Sequence, residues 1–213
     1  MRKEKNKYST IFLMLSILFT VCLVISNILA AKIVLIWKWS VTAGVLVFPI
    51  SYIINDLLSE VYGYKYAKKV IFFGFAMLIF AVVSFQLAIV FPSPIWYENE
   101  NAFEQVLGST PRVAIACLLA YLCGSIINSK VLVSMKKRDL NNCFFEMRAI
   151  VSTIFGELTD SIVFVFLAFW GTLSFTHMLE MVTVQVCLKT LYEIILLPIT
   201  SKLVTIVRRY EES

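Results

Sequence analysis

Apolar residues fall into six long runs, at 11–31, 40–61, 70–91, 111–134, 149–170 and 178–207, separated by short polar or charged segments. About 20 predominantly apolar residues cross a bilayer's hydrocarbon as a helix, so each run predicts one transmembrane helix. Six crossings and short loops occupy positions 1–213, which predicts a single all-α, polytopic transmembrane domain. The first run follows Arg2, Lys3, Lys5 and Lys7, as a secretory signal would, and Leu29-Ala30-Ala31 resembles a cleavage site. Its apolar core is longer than such signals use, so a retained first span is expected.

The punctuation between runs sets their bounds and direction. Pro49 and Pro198 lie inside apolar runs and predict kinks that free backbone carbonyls. Gly63 ends the second run. Thr110-Pro111 reads as an N-cap followed by proline at the first helical position, and Ala102 to Leu107 is expected to form a short surface helix. Trp37 and Trp39 suit an outer interface belt. Basic residues collect at the N-terminus, at Lys65, Lys68 and Lys69, at Lys136, Lys137 and Arg138, and at Arg208-Arg209, whereas 92–110 carries three glutamates and no Lys or Arg. By the positive-inside rule both termini are cytoplasmic. Two halves of three spans each would be oppositely oriented, the arithmetic of a 3+3 inverted repeat. Ala31-Lys32-Ile33-Val34 echoes Ser129-Lys130-Val131-Leu132 in the matching places.

Composition agrees with this and narrows function. Hydrophobic residues make up 60% of the chain, mean hydropathy is +0.84 and only 15% of residues are charged, which excludes a soluble domain. The net charge of +5 is spread over span ends rather than one amphipathic face, so no nucleic-acid partner is expected, only the lipid bilayer. Five cysteines show no CxxC or metal spacing and are expected as free thiols, with no metal and no cofactor. His177, the single histidine, falls in an expected external loop, and there is no HExxH, nucleophile elbow or phosphate-cradling glycine loop, which argues against an enzyme. An intramembrane acid pair could still serve a hydrolase.

Candidate chemistry centres on STIFGELTDS, Ser152 to Ser161, where Glu157 and Asp160 lie one turn apart near the expected midplane. Ionisable groups at that depth are costly and mark functional sites by default. Lys189 in the sixth span has a comparable depth and could neutralise one acid, leaving the other over. Asp56 and Glu60 share a face of the second span, with Glu60 near enough to the boundary to be either solvated or functional. Asn27 and Lys32 mark the far end of the first span, Lys32 either snorkelling or binding. Gln86 fits interhelical hydrogen bonding better than ligand contact. Arg112 stands at a helix start, where the dipole disfavours a cation, so it either snorkels outward or has a carboxylate partner. With Asn128 added, the acids and amides beside Phe48, Tyr52, Tyr121, Phe155 and Trp170 could line a site for a flat, nitrogen-rich ligand, since carboxylates accept paired N–H groups and rings stack.

The ordered set Ser26-Asn27, Gly44 with Phe48-Pro49, Asp56 with Glu60 and Gly63, Ala67-Lys68-Lys69, Arg112, Ala120-Tyr121 with Gly124, STIFGELTDS, Phe169-Trp170, Lys189 and Pro198 resembles the queuosine precursor transporters, a six-helix family of bacterial inner-membrane proteins. The resemblance implies import of 7-deazaguanine nucleobases (the cyano and aminomethyl precursors, or queuine) for tRNA modification. With such a substrate, Glu157 or Asp160 is expected to accept hydrogen bonds from the guanine edge while Lys189 holds the other acid. Asn27, Asp56 and Asn128 would be further polar contacts beside Tyr121 and Phe48, and Arg112 and Glu60 gating or ion-pair residues. Where family members often carry an aspartate, this chain has Asn128, which bears on substrate preference. A vitamin-binding subunit of an energy-coupling complex is the alternative transporter. No Walker motif is present, so energy comes from gradients, a partner or metabolic trapping. A homodimer is expected of so small a transporter, although no GxxxG seam marks its face.

Overall fold

The computed structural model describes residues 9–138 and 145–212. The basic N-terminal segment before Ser9 lies outside them, as do the side chains of Phe48, Tyr52 and Glu193. The chain forms helix α1 (Thr10–Leu29), a hairpin of β1 (Ile33–Ile36) and β2 (Trp39–Thr42), a 3-10 turn (Ala43–Leu46), α2 (Phe48–Leu57) and a π-helical turn (Leu58–Tyr62). Then come α3 (Tyr64–Val90), the short α4 (Glu100–Leu107), α5 (Thr110–Arg138), α6 (Phe145–Phe169) and α7 (Phe175–Glu212).

Among the described residues, four helical stretches are long and apolar enough to cross a membrane: α1, α3, α6 and the 100–131 stretch that contains most of α5. A fifth is α7 if its segments Phe175–Leu196 and Pro198–Glu211, inclined at 49°, count as one span. The bend falls where Pro198 was expected to kink the helix. The protein is a multi-pass helical membrane protein. Helix α3 begins six residues before position 70, so that Lys65, Lys68 and Lys69 are helical, and α6 begins four residues before position 149.

The second predicted span differs most. Positions 40–61 do not form one helix: the run is divided among β2, the 3-10 turn, α2 and the π turn. Trp37 at φ 61° turns the hairpin, which pairs Ile33 with Thr42 and Ile36 with Trp39. Pro49 opens α2 instead of kinking a longer helix, because its missing N–H is harmless only in a first turn. Gly63, at φ 86°, then separates the π turn from α3. The two echoing segments also part company here, since Ile33-Val34 is strand and Ser129–Val131 is helix.

The interior is built in three apolar clusters. Phe12, Phe19, Cys22, Ile54, Leu58, Ala67 and Val70 join α1 to α2, the π turn and α3. Leu23, Phe75, Leu78, Val82 and Ala114 join α1, α3 and α5. Small residues Ala116, Ala120 and Ala168 let α5 approach α6, with Met178 and Met181 of α7 against them. Phe72, Phe73 and Phe80 on α3 point outward, as suits a surface solvated by lipid. Polar side chains tie the ends: Gln86 Nε2 donates to the Leu107 carbonyl at 3.2 Å, the interhelical role expected of it. Tyr62 Oη donates to Glu211 at 2.8 Å, and Arg208 to the Glu60 carbonyl at 3.1 Å.

Helices α5 and α6 pack closely at two glycines. A Cβ added to Gly124 would lie 2.9 Å from the Gly156 carbonyl oxygen, and one added to Gly156 would lie 2.8 Å from the Asn128 Cβ. Gly156→Val is therefore expected to cost about 1–3 kcal/mol of overpacking, seen as a lower melting temperature of the detergent-solubilised protein. An unchanged melting temperature would show that the helices can separate freely at this crossing.

Candidate functional site

That crossing brings the polar residues of α5 and α6 beside one another, and they face α2 and α7 across two cavities. The deeper one, ≈ 90 Å³, is lined by Phe19, Leu23, Phe75 and Phe164 on its apolar side and by Ser26, Ser51, Asn55, Gln185, Asp160 and Lys189 on its polar side. The wider one, ≈ 410 Å³, lies toward the end where α5 finishes and α6 starts. Its lining includes Asp56, Ser59, Ser125, Asn128, Thr153, Glu157 and Asp160. Asn55, Ile71, Tyr121 and Asp160 line both, so the cavities adjoin at those residues. The wider volume is within the range of small-molecule sites, and the mixture of rings with a few convergent polar groups is their usual chemistry.

The α6 residues reach the cavities by helical spacing. Thr153, Gly156, Glu157, Asp160 and Phe164 recur at three and four and so share a face. Asp160 Oδ2 accepts from Lys189 Nζ of α7. The lysine side chain is 4% exposed and the aspartate 26%. The cation is thus enclosed and needs its partner, while the carboxylate retains a face toward the cavities. Lys189 thus holds Asp160, and Glu157 lies one turn away on the wider cavity. Gln185, one turn before Lys189, is buried and donates to Thr42 Oγ1 at 3.5 Å, and Glu180 accepts from the Ser40 backbone N–H at 2.9 Å. These two bonds attach the hairpin to α7.

Of the residues singled out from sequence, Asp56, Tyr121, Asn128, Glu157, Asp160 and Lys189 come together on the cavity walls. Asn27 is buried beside the lining residue Ser26, and neither of its amide atoms has a hydrogen-bond partner among the described residues. The Glu60 side chain is exposed at the π turn. Arg112 stands apart, donating from Nε to the Leu167 carbonyl at 2.7 Å and from Nη2 to the Trp170 carbonyl at 2.5 Å. Its described bonds therefore go to carbonyls and its side chain is exposed, so of the two alternatives, an outward position and a carboxylate partner, the described bonds show no carboxylate. Those carbonyls form the negative end of the α6 dipole, which explains a cation at the start of α5.

The expected aromatic lining is also redrawn. Phe155 and Trp170 are exposed, and Phe19, Phe75 and Phe164 take their place beside Tyr121. Ser51, Asn55 and Ser59 were missed as site residues. Their spacing of four puts them on one face of α2 and its π turn, a signal that the adjacent acids Asp56 and Glu60 obscured.

Residues 42–203 match the model of a family described as "Putative vitamin uptake transporter". The chain belongs to this transporter family. The queuosine precursor transporter of Escherichia coli strain K12 is 26% identical over 196 residues, covering 90% of this chain and 85% of the relative. A probable queuosine precursor transporter of Bacillus subtilis strain 168 is 26% identical over 152 residues, 71% of this chain and 65% of the relative. One from Haemophilus influenzae is 28% identical over 131 residues, 61% of this chain and 52% of the relative. These names bear out the queuosine precursor transporter resemblance and a transporter in place of an enzyme. No solved structure matches the chain.

The buried pair makes a specific demand. Lys189→Met or Asp160→Asn alone removes one member of a buried ion pair and should destabilise the protein, by about 3–5 kcal/mol. The double variant should recover part of that loss. A cycle of melting temperatures in detergent measures this, and strictly additive losses would mean the pair contributes no coupling.

Proposed function

We propose that this protein imports queuosine precursors, 7-deazaguanine bases, across the bacterial inner membrane. The observation that carries the reading is the pair of adjoining cavities meeting at Asp160, whose carboxylate is held by a buried lysine and bordered by rings. A deazaguanine offers a flat face for Tyr121, Phe75 and Phe164 and a row of N–H donors for acceptors. Asp160 accepts from the guanine edge, with Glu157, Asp56 and Asn128 as contacts along the wider cavity. The aminomethyl precursor and queuine carry a cation, which the acids Asp56 and Glu157 favour electrostatically.

Placing both termini in the cytoplasm puts the wider cavity on the cytoplasmic side, so the conformation is inward-facing. The chain crosses six times in this reading, with the hairpin, α2 and π turn acting together as the second crossing. Irregular backbone at membrane depth is tolerated where protein buries it or where it borders a water-filled cavity. Broken helices at the substrate site are common in secondary transporters.

Uptake of labelled precursor by cells lacking their own transporter tests the reading. Wild type should accumulate it when expressed alone, and Asp160→Asn should reduce the initial rate by about tenfold or more, as loss of a charge-assisted hydrogen bond implies. Undiminished uptake in the variant removes Asp160 from the site. A second reading is a vitamin-binding subunit of an energy-coupling complex, in keeping with a family described by vitamin uptake. Uptake without an added ATPase module excludes that role.

A further inference from the structure

A buried polar atom without a partner is rare in a folded protein and calls for an explanation. Among the described residues, Asn27 (both amide atoms), Asn55 Oδ1 and Ser161 Oγ are in that condition. Asn27 and Ser161 line neither of the two cavities, whereas Asn55 lines both. It sits on α2 one turn after Ser51 and one before Ser59, so three small polar side chains follow one face of this element into the site.

We propose that Asn55 is a specificity-determining contact, whose Oδ1 accepts a ring or exocyclic N–H of the nucleobase where the two cavities meet. The inference rests on the nucleobase reading above and adds the residue that completes its hydrogen bonding. Three observations converge. The acceptor is buried and unsatisfied among the described residues. It is on the cavity wall shared with Asp160 and Tyr121, so a ligand held by the carboxylate and stacked near the phenol has its edge within reach of α2. Asp160 already accepts from Lys189, so part of its hydrogen-bonding capacity is committed and a base with adjacent N–H donors needs a second acceptor.

An acceptor left empty until the substrate arrives discriminates strongly, because a competitor lacking the matching N–H leaves the oxygen buried and unpaired in the complex. Asn55 would thus reject flat apolar rings that the aromatic walls alone would admit.

The test is a cycle between a protein group and a ligand group. Competition against labelled precursor uptake is measured with the unlabelled 7-deazaguanine precursor and with its 2-desamino and N1-methyl counterparts, for wild type and Asn55→Leu. Each change alone is expected to weaken competition about tenfold. Asn55→Leu combined with the analogue lacking the recognised N–H should again cost about tenfold, since both changes remove the same bond. Asn55→Asp, which retains the acceptor, should keep the wild-type discrimination between precursor and analogue.

Multiplied losses of about a hundredfold for both analogues would overturn the proposal, as would Asn55→Leu competing like wild type. If Asn55→Leu does not reach the membrane by immunoblot, Asn55→Ser carries the same cycle with the same criteria. Failure of wild type to accumulate precursor is a different result: it rejects the nucleobase reading itself. Uptake by wild type with no coupling at position 55 rejects only the role of Asn55.

Discussion

A lysine ammonium inside a bilayer must have a partner, and much of this structure follows from how Lys189 finds one. In hydrocarbon no water is available to solvate the charge, so α7 must lie where its side chain reaches a carboxylate. Asp160 of α6 meets that demand. The pair thereby sets the position of α7 against α6, and Gln185 and Glu180 on the same helix hold the hairpin that leads into α2. A single electrostatic requirement thus links three parts of the chain that are far apart in sequence.

The site also depends on an absence of side chains. Gly124 and Gly156 let α5 and α6 touch backbone to side chain, which puts Asn128 beside the turn that carries Glu157. Larger residues there would widen the crossing and spread the polar groups that line the wider cavity. On the far end of the same helix pair, Arg112 takes the last carbonyls of α6. Both devices serve one rule, that buried backbone and polar groups must be satisfied from within when the surroundings cannot hydrogen-bond.

The irregular segment from β1 to the π turn is the counterpart of this regularity. Its short helix α2 and π turn border the cavities, where Ser51, Asn55, Asp56 and Ser59 give the walls polar character. On α3, Phe72, Phe73 and Phe80 face outward while Val70, Phe75, Leu78 and Val82 face inward, a division that suits lipid on one side and protein on the other. The unusual backbone and the polar lining therefore occur together.

Much of this was written in local sequence. Runs of apolar residues define α1, α3, α5, α6 and α7 because satisfying backbone groups in hydrocarbon leaves helix as the economical local answer. The acids of STIFGELTDS stand out because charge at that depth is costly wherever the helices lie, and their three-residue separation already puts them on one face. Local pattern could not distinguish a kinked helix at 40–61 from a hairpin, turn and short helix, since both bury the same apolar residues and the choice depends on contacts with α1 and α7. Nor could it say that Lys189 reaches Asp160, that Arg112 answers carbonyls 55 and 58 residues away, or that Phe19, Phe75 and Phe164 supply the rings. Those outcomes depend on distances between helices, and only the packed tertiary structure sets them.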